Sequence, residues 1–350
     1  MRIFYGVQGT GNGHISRARA MNSHLQSAGV KVDYLFSGRP RDAYFGMEEF
    51  GDWRDAPGLS FVAKNGKINT LATARKNRLW RLVRDIRSLD LSGYDRVICD
   101  FEPITAWAAR RQKVDCITFG HQYAFQHQIP IEGKSWLYQK IISRFAPGVE
   151  QLGLHWHHFN QPILPPIVHT ELQKTDKNSG EIMVYLGFES PEAVTLLLQQ
   201  LPSTRFVYYG EFAESSQQQN VRLEPLSVDG FKRDLRQCHG VICNAGFELT
   251  SEALQLGKRI LVKPLQGQME QLSNALALEK LDLGSRMNSL SKESIQQWLQ
   301  SEQKPTCHYP DVAKAIVEWL LETNRCAPEQ LAQSLWQQTH LVNRHKKIIQ

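Results

Sequence analysis

Short apolar runs alternate with stretches of helical periodicity along the first half of the chain. The runs predict strands over residues 2–7, 31–36, 59–63, 95–99 and 114–119. Between them, apolar residues that recur every three or four positions predict helices over about 14–28, 70–89 and 103–112. Strands that alternate with helices in this way are typical of a parallel sheet covered by helices.

The second half of the chain repeats this alternation after a break. Residues 161–180 contain several prolines followed by a polar run, which predicts a linker. Beyond it, apolar runs predict strands over 181–186, 205–209, 240–243 and 259–263. We therefore expect two Rossmann-like, doubly wound α/β domains, over 1–160 and 181–330, that face each other across a cleft. Residues 331–350 predict a terminal helix that packs back on the first domain.

Composition narrows the class of protein. The 350 residues are 41% hydrophobic and 22% charged, with a net charge of +6, which is typical of a soluble globular chain. No stretch reaches the roughly 18–20 uncharged apolar residues that span a bilayer. The six cysteines form no C-x-x-C pair, which argues against structural zinc. These features predict a cytoplasmic location and no leader sequence.

The glycine-rich stretch GVQGTGNGHISRARAM, residues 6–21, joins the first strand to the first helix. It lacks the Gly-Lys-Ser/Thr ending of a P-loop. It also lacks the third glycine spacing of a dinucleotide fingerprint, although Asp33 lies near the expected distance for a ribose contact. Two interpretations stay open: a tight turn that favours anions, or a turn that delivers His14 to a reacting atom. A Cβ at Gly11 or Gly13 is expected to disturb either one.

A second informative stretch follows the predicted strand 240–243. Asn244-Ala245-Gly246 leads into a helix that opens near Glu248, where a glycine and free N–H groups suit a diphosphate. One turn into that helix, Glu252 can accept hydrogen bonds from two neighbouring hydroxyls, as on a ribose. Without further support it would be a solvated helix carboxylate.

Taken in order, these residues resemble a known family. Gly246, Thr250, Glu252, Glu270 and Gln271 follow the donor-binding pattern of GT-B glycosyltransferases. The pattern is similar to that of family 28, of the peptidoglycan N-acetylglucosaminyltransferase type, and more distantly to that of the UDP-glucuronosyltransferases.

The resemblance implies a role for each matching residue. Glycine turns at Gly11-Asn12-Gly13 and Gly246 would hold the nucleotide diphosphate, together with Asn244 and Thr250. Glu252 would hold the ribose, and Glu270 with Gln271 would hold the sugar hydroxyls. The chain departs from the pattern at Asn244, where many relatives have histidine, and at Leu249, where they have a hydroxyl residue.

The resemblance also implies a catalytic pair in the first, acceptor-binding domain. His14 would deprotonate an acceptor hydroxyl, since histidine titrates nearest neutral pH. Asp100, at the end of the strand 95–99, would orient it, with Glu102 as the competing carboxylate. The alternative for Asp100 is a helix N-cap before Pro103, and for His14 a surface histidine. His121 and Gln122 follow another strand and are expected to line the acceptor side.

Two further stretches contain residues that suggest other chemistry. The histidines of LHWHHF, residues 154–159, lack a characteristically spaced acidic or cysteine ligand, so we expect no metal. Residues 74–90 predict a basic amphipathic helix. Its apolar stripe either packs on the sheet, as we expect, or lies against anionic lipid at the inner face of a membrane. No recognised reader motif points to nucleic acid.

The sequence thus predicts an inverting glycosyltransferase that uses a nucleotide-sugar, expected to be UDP-linked, and no cofactor. A nucleotide-sugar epimerase or hydrolase on the same fold is one alternative, and a non-catalytic nucleotide-sugar-binding subunit is another. The acceptor stays open among a lipid-linked, a glycan and a small-molecule hydroxyl.

Overall fold

A six-stranded parallel sheet forms the first half of the molecule. The computed structural model describes residues 1–60, 63, 64, 67, 68, 79–133, 136–169, 178–301 and 306–342. The strands of the sheet are β1 (Arg2–Gln8), β2 (Lys31–Ser37), β3 (Arg54–Ala56), β6 (Arg96–Asp100), β7 (Cys116–Gly120) and β8 (Glu150–Gly153). They lie in the order β3-β2-β1-β6-β7-β8. A separate antiparallel pair is formed by β4 (Ala63–Lys64) and β5 (Lys67–Ile68).

Helices connect these strands and cover the sheet. They are α1 (Asn12–Ser27), α2 (Leu79–Ser88), α3 (Pro103–Gln112), α4 (His121–Ala124) and α5 (Trp136–Phe145), with short 3-10 turns at Arg41–Ala43 and Glu48–Phe50. Residues 3–8 of β1 are all buried, because helices pack on both faces of a parallel sheet.

The second half contains a seven-stranded sheet. Its strands are β9 (Ile182–Tyr185), β10 (Phe206–Gly210), β11 (Ser216–Gln218), β12 (Val221–Pro225), β13 (Gly240–Asn244), β14 (Arg259–Lys263) and β15 (Ser285–Arg286). The order is β11-β12-β10-β9-β13-β14-β15, and every pairing is parallel except that of β11 with β12. The helices are α6 (Pro191–Gln199), α7 (Val228–Gln237), α8 (Phe247–Gln255), α9 (Met269–Lys280), α10 (Lys292–Gln300), α11 (Val312–Leu321) and α12 (Pro328–Gln337).

The last segment returns to the first sheet. His24 of α1 pairs with Asp311, the N-cap of α11, at 3.1 Å, and Trp336 of α12 donates to the Ile163 carbonyl at 2.5 Å. An antiparallel pair of β16 (Thr306–His308) and β17 (His340–Val342) also lies in this part of the chain. Parts of the predicted linker (170–177) and of the predicted terminal helix (343–350) lie outside the described residues. The domain limits themselves stay predictions.

The structure contains strands at or next to the sheet edges that the apolar pattern did not predict: β3 and β8 in the first sheet, and β11, β12 and β15 in the second. At one edge, β3 is a three-residue strand too short to show an apolar pattern, and its backbone pairs with β2 in parallel. Of the predicted strand 59–63, residues 61 and 62 lie outside the described part, as do residues 70–78 of the predicted helix 70–89. Among the described residues, no helix is both long and apolar enough to cross a membrane.

The carboxyl ends of the central strands meet where the two halves touch. Helix α1 follows β1, helix α8 follows β13, and the two helices contact each other. Residues that follow strands are therefore brought together from both halves.

Candidate active site

The glycine-rich turn places His14 in the first turn of α1. Gly11, the N-cap, has an extended backbone with φ of −123°, and an added Cβ there would meet no atom within 4 Å. A Cβ on Gly13 would lie 2.7 Å from Cγ of Glu248 in the other half of the molecule. The turn itself therefore tolerates a side chain at Gly11, contrary to expectation, whereas Gly13 permits the close approach of α1 and α8.

His14 and Asp100 lie in contact. The Nδ1 atom of His14 is 2.8 Å from Oδ1 of Asp100, the last residue of β6. The Asp100 carboxylate is fully buried, whereas the His14 side chain is 15% exposed. The pair thus has a hidden acidic end and an accessible ring.

Arg17, which the sequence analysis did not single out, completes this cluster. One turn after His14, its Nε and Nη2 atoms donate to the two Asp100 oxygens at 2.6 and 2.7 Å. Its Nη1 atom donates to Oε1 of Glu248, in the first turn of α8. A single buried guanidinium therefore joins carboxylates from both halves of the molecule.

The two carboxyl groups around Arg17 differ electrostatically. Burial acts to raise the pKa of Asp100, but Arg17 and His14 outweigh it and hold that pKa below its usual value. Burial raises the pKa of Glu248 to about 8, even though Arg17 opposes the shift. Asp100 is therefore a stable anion at neutral pH, and Glu248 is a carboxyl group that can exist in either form.

Glu102, the competing carboxylate, caps α3. Its oxygens accept hydrogen bonds from the backbone N–H groups of Ile104 and Thr105 at 2.8 and 2.7 Å, and one also accepts from Ser37 Oγ at 2.7 Å. Phe101 has a φ of +50°, which turns the chain between the two carboxylates. Glu102 is therefore the N-cap, and Asp100 is left to face His14.

The predicted donor-binding carboxylates contact side chains of the first half. Ser16 Oγ donates to Glu252 Oε1 at 2.9 Å. The Nε2 atom of Gln122 lies 3.3 Å from both oxygens of Glu270. Each of these glutamates thus has a hydroxyl or amide donor opposite it, across the contact between the two sheets.

The other predicted donor-site residues support the turns that surround these carboxylates. Asn244 Nδ2 donates to the Lys263 carbonyl at 3.0 Å, and Thr250 Oγ1 donates to the Gly246 carbonyl at 2.6 Å. Gln271 Oε1 accepts from the Leu265 N–H at 2.8 Å. In the first half, Asn12 Oδ1 accepts from Arg39 at 3.0 Å. A Cβ on Gly246 would meet no atom within 4 Å, so the space beside this turn is open.

His121 is buried between the two sheets. Its Nδ1 atom lies 2.8 Å from the Leu154 carbonyl and its Nε2 atom 2.6 Å from Oδ1 of Asn274. The ring stacks on Phe247, with centroids 3.9 Å apart and planes at 4°. His121 therefore joins the two halves directly, and the adjacent Gln122 is the one that reaches the Glu270 carboxylate.

The histidine-rich stretch accepts hydrogen bonds from its own backbone. The Nδ1 atoms of His155, His157 and His158 accept from backbone N–H groups of residues 156, 159 and 160 at 2.8, 2.9 and 3.0 Å. Burial lowers the pKa of all three rings, which favours the neutral form that accepts these bonds. Among the residues described, no group of three histidine, cysteine or acidic side chains is arranged to hold a metal ion.

The basic helix is α2, in its described part. Leu82 and Ile86 pack against the core of the first half, as the packed alternative predicted. Leu79, Trp80 and Val83 are 65%, 59% and 45% exposed. Trp80 and Val83 line a shallow groove together with Arg84, Arg87 and Ser88. The apolar stripe is thus wider than the surface it covers.

Comparison with known proteins identifies the family. The model of glycosyl transferase family 1 matches residues 1–302. The chain belongs to glycosyl transferase family 1. It is a glycosyltransferase, and the expected likeness to GT-B glycosyltransferases holds at that level. No curated protein matches its sequence.

Solved structures agree with the fold of this glycosyltransferase. SsfS6 of Streptomyces sp. SF2575, complexed with thymidine diphosphate, is 12% identical, with a TM-score of 0.57 and coverage of 96% of this chain and 99% of that one. The spinosyn rhamnosyltransferase SpnG, complexed with spinosyn aglycone, is 13% identical, with a TM-score of 0.57 and coverage of 96% and 97%. LpCGTa in complex with UDP is 13% identical, with a TM-score of 0.56 and coverage of 95% and 98%. The predicted fold of two Rossmann-like domains is confirmed.

Proposed function

We propose that this glycosyltransferase moves a sugar from a UDP-sugar to an acceptor hydroxyl with inversion, and that His14 is the base. The acceptor oxygen bonds to the anomeric carbon while the bond from that carbon to the diphosphate breaks. The hydroxyl proton passes to His14, and the electron pair leaves with the nucleotide. The observation that carries the proposal is the 2.8 Å contact of His14 with the buried Asp100.

The tautomer of His14 follows from that contact. Asp100 is an anion and can only accept, so we assign the proton to Nδ1, which donates it to Asp100. Arg17 Nη2 lies 2.9 Å from the same Nδ1 atom, and in this tautomer it donates to Asp100 Oδ1 at 2.7 Å instead. The Nε2 atom then holds the lone pair and is the nitrogen that can take a proton from the acceptor. Asp100 also stabilises the imidazolium that forms, as the aspartate of a Ser-His-Asp triad does.

The donor is proposed to bind at the start of α8. SsfS6 and LpCGTa are structures with thymidine diphosphate and UDP, respectively, which supports a nucleotide diphosphate here. The open space beside Gly246 and the N-terminus of α8 suit the phosphates, with the Gly11-Asn12-Gly13 turn opposite. Asn244 and Thr250 would support this turn.

The donor's hydroxyls are proposed to bind the two glutamates. Glu252 would accept hydrogen bonds from the ribose hydroxyls in place of the one from Ser16. Glu270, with Gln271 beside it, would accept from the hydroxyls of the sugar in place of Gln122. The resemblance of these positions to family 28 and to the UDP-glucuronosyltransferases supports the same roles.

The acceptor would lie against the first half of the molecule. Gln122, with His121 behind it, is proposed to form part of that wall, on the same sheet edge as His14. SpnG is described with an aglycone, which supports an acceptor of non-nucleotide chemistry. Lipid-linked, glycan and small-molecule hydroxyls all fit this description.

A donor and acceptor panel tests the function. Purified protein is incubated with UDP- and TDP-sugars, with and without candidate acceptors, and the products are separated by liquid chromatography. Glycosyl transfer predicts nucleotide release only when an acceptor is present. Release without an acceptor would indicate a hydrolase, isomerised donor an epimerase, and binding without turnover a non-catalytic subunit.

The exposed stripe of α2 is proposed to touch an anionic membrane surface at its cytoplasmic face. Trp80 and Val83 supply the apolar contact, and Arg84 and Arg87 supply the positive charge beside them. A helix that leads into a parallel strand runs antiparallel to it, so we infer that the first residues of α2 lie at the carboxyl edge of the sheet, the edge of His14. This placement favours a lipid-linked acceptor.

Vesicle sedimentation tests the membrane contact. The protein is expected to sediment with vesicles of phosphatidylglycerol and not with those of phosphatidylcholine, and Trp80→Ala with Arg84→Glu is expected to abolish sedimentation. Equal recovery in the supernatant with both lipids would contradict the proposal.

A further inference from the structure

The guanidinium of Arg17 contacts one carboxyl group in each half of the molecule. Among the described residues, no other side chain of α1 does so. Two of the Arg17 nitrogens hold Asp100 in a bidentate pair, and the third crosses to Glu248. A guanidinium is planar and offers five N–H donors, so its hold on Asp100 fixes the direction of the third nitrogen. Arg17 is therefore aimed at the start of α8 by its own domain.

Glu248 occupies a position that suits a bound anion. It lies in the first turn of α8, whose N-terminus attracts negative charge. The N-cap of α8 is Gly246, and the nucleotide diphosphate is proposed to bind beside it. The Glu248 carboxyl and that diphosphate would therefore both be within reach of the same guanidinium.

We propose that Arg17 exchanges Glu248 for the donor's diphosphate and stabilises the departing nucleotide. This inference rests on the proposed function. As the bond between the anomeric carbon and the diphosphate oxygen breaks, that oxygen keeps the electron pair, and the third Arg17 nitrogen donates a hydrogen bond to the phosphates. Because the other two nitrogens stay on Asp100, one side chain positions the base and the leaving group together.

The surroundings of Glu248 make it a weak competitor at neutral pH. Burial raises its pKa to about 8, Arg17 of α1 opposes the shift, and Asp100 of β6, Glu252 of α8 and Glu270 of α9 add to it. At pH 7 the carboxyl group is therefore mostly protonated and holds Arg17 weakly. Above pH 8 it ionises and holds Arg17 strongly, so nucleotide binding should weaken between pH 7 and pH 9.

Calorimetry with UDP and with TDP tests the exchange at these two pH values. The charge of the nucleotide's phosphates changes little in this range, because the second phosphate pKa is about 6. Glu248→Gln, measured at both pH values, shows how much of any change comes from the base of the nucleotide. The wild type is expected to bind the nucleotide about tenfold more weakly at pH 9 than at pH 7, because it loses one charge-assisted hydrogen bond from Arg17. Glu248→Gln is expected to match the wild type at pH 7 and to bind about tenfold more tightly than it at pH 9. Arg17→Lys, which cannot hold Asp100 and reach the phosphate together, is expected to bind about tenfold more weakly at both.

Glu293→Gln is the matched control. Glu293 is also the second residue of its helix, α10, but it is exposed and far along the chain from this site. This variant is expected to follow the wild type at both pH values. Thermal unfolding of each variant confirms that it is folded.

The inference predicts that the two substitutions change nucleotide affinity at pH 9 in opposite directions, Glu248→Gln raising it and Arg17→Lys lowering it. A purely structural ion pair predicts that Glu248→Gln and Arg17→Lys weaken binding together or leave it unchanged, and either result would overturn the exchange. A wild type with equal affinity at pH 7 and pH 9 would overturn it as well. If the wild type binds neither nucleotide, the proposed donor class fails and the inference fails with it.

Discussion

His14 lies in a cluster whose charge states depend on both burial and ion pairing. Asp100 stays ionised because Arg17 and His14 together outweigh its desolvation. Arg17 is itself almost fully buried: the ionised Asp100 balances its charge, and it donates a further hydrogen bond to the Glu248 carboxyl group. Buried charges that are paired in this way are costly to disturb one at a time. Even a single added methyl group at this contact should therefore lower the free energy of unfolding measurably.

Gly13→Ala should destabilise the contact between α1 and α8. The new Cβ would lie 2.7 Å from Cγ of Glu248, a side chain that is buried against α1 and has little room to move away. Overpacking of this kind costs about 1–3 kcal/mol. Chemical denaturation should show that loss in the free energy of unfolding, together with reduced turnover.

Gly11→Ala is the matched control for Gly13→Ala. Its backbone is extended and the added Cβ is in open space, so the only expected loss comes from alanine being a poorer N-cap than glycine, at most about 1 kcal/mol in the free energy of unfolding. Equal losses in the two variants would show that the turn, and not the contact with Glu248, requires the glycines.

Sequence patterns found part of this cluster and missed the rest for a physical reason. His14 and Asp100 follow a glycine turn and a strand end, which are local features. Arg17 meets Asp100 83 positions away and Glu248 231 positions away. In the sequence it is one of several arginines on a helix, and only the packing of the two sheets shows that it is buried.

The apolar pattern predicts the bounds of α3 but does not identify its N-cap. The predicted helix 103–112 has the observed bounds, because Pro103 suits a first helical position. Two carboxylates precede that proline, and the pattern does not say which one caps the helix. The positive φ of Phe101, which no local sequence rule required, decides that Glu102 is the cap.

Glu102→Ala should therefore destabilise the first half of the molecule. The helix loses its side-chain cap and Ser37 loses a buried partner. Loss of a cap alone costs about 0.5–2 kcal/mol, so we expect a decrease of about 2 kcal/mol in the free energy of unfolding by urea titration. Glu102→Gln keeps an acceptor and should lose less. A Glu102→Ala protein as stable as the wild type would contradict the assignment of the cap.

The two sheets are held in contact by polar groups as well as by apolar packing. Arg286 and Glu132 form a bidentate pair at 2.6 and 2.8 Å, in addition to the contacts of Glu248, Glu252 and Glu270 with the first half. The sequence predicted two domains that face each other, from strand order and the position of the motifs. The sequence pattern could not predict that side chains of the first domain would hydrogen-bond to the predicted donor-binding glutamates of the second.

Glu252→Ala and Glu270→Ala should each weaken binding of a UDP-sugar. Each removes a carboxylate, buried at Glu252 and half-buried at Glu270, that is proposed to accept from donor hydroxyls. A hydrogen bond to a charged group is worth roughly 1.5–3 kcal/mol, or about 10- to 100-fold in affinity. Calorimetry measures the change, with Glu279→Ala, an exposed residue of the same helix as Glu270, as the control. Affinities unchanged in both variants would contradict the donor site.

Single-turnover transfer by His14→Ala, with donor affinity measured separately, tests the central claim most directly. A positioned general base contributes about 10²–10⁴-fold, so turnover should fall by that factor. Donor affinity should change little, because the predicted donor residues lie mostly in the second half. His24→Ala, on the same helix, should leave turnover unchanged. Near-normal turnover in His14→Ala would contradict the account and show that the glycine-rich turn does not position the base.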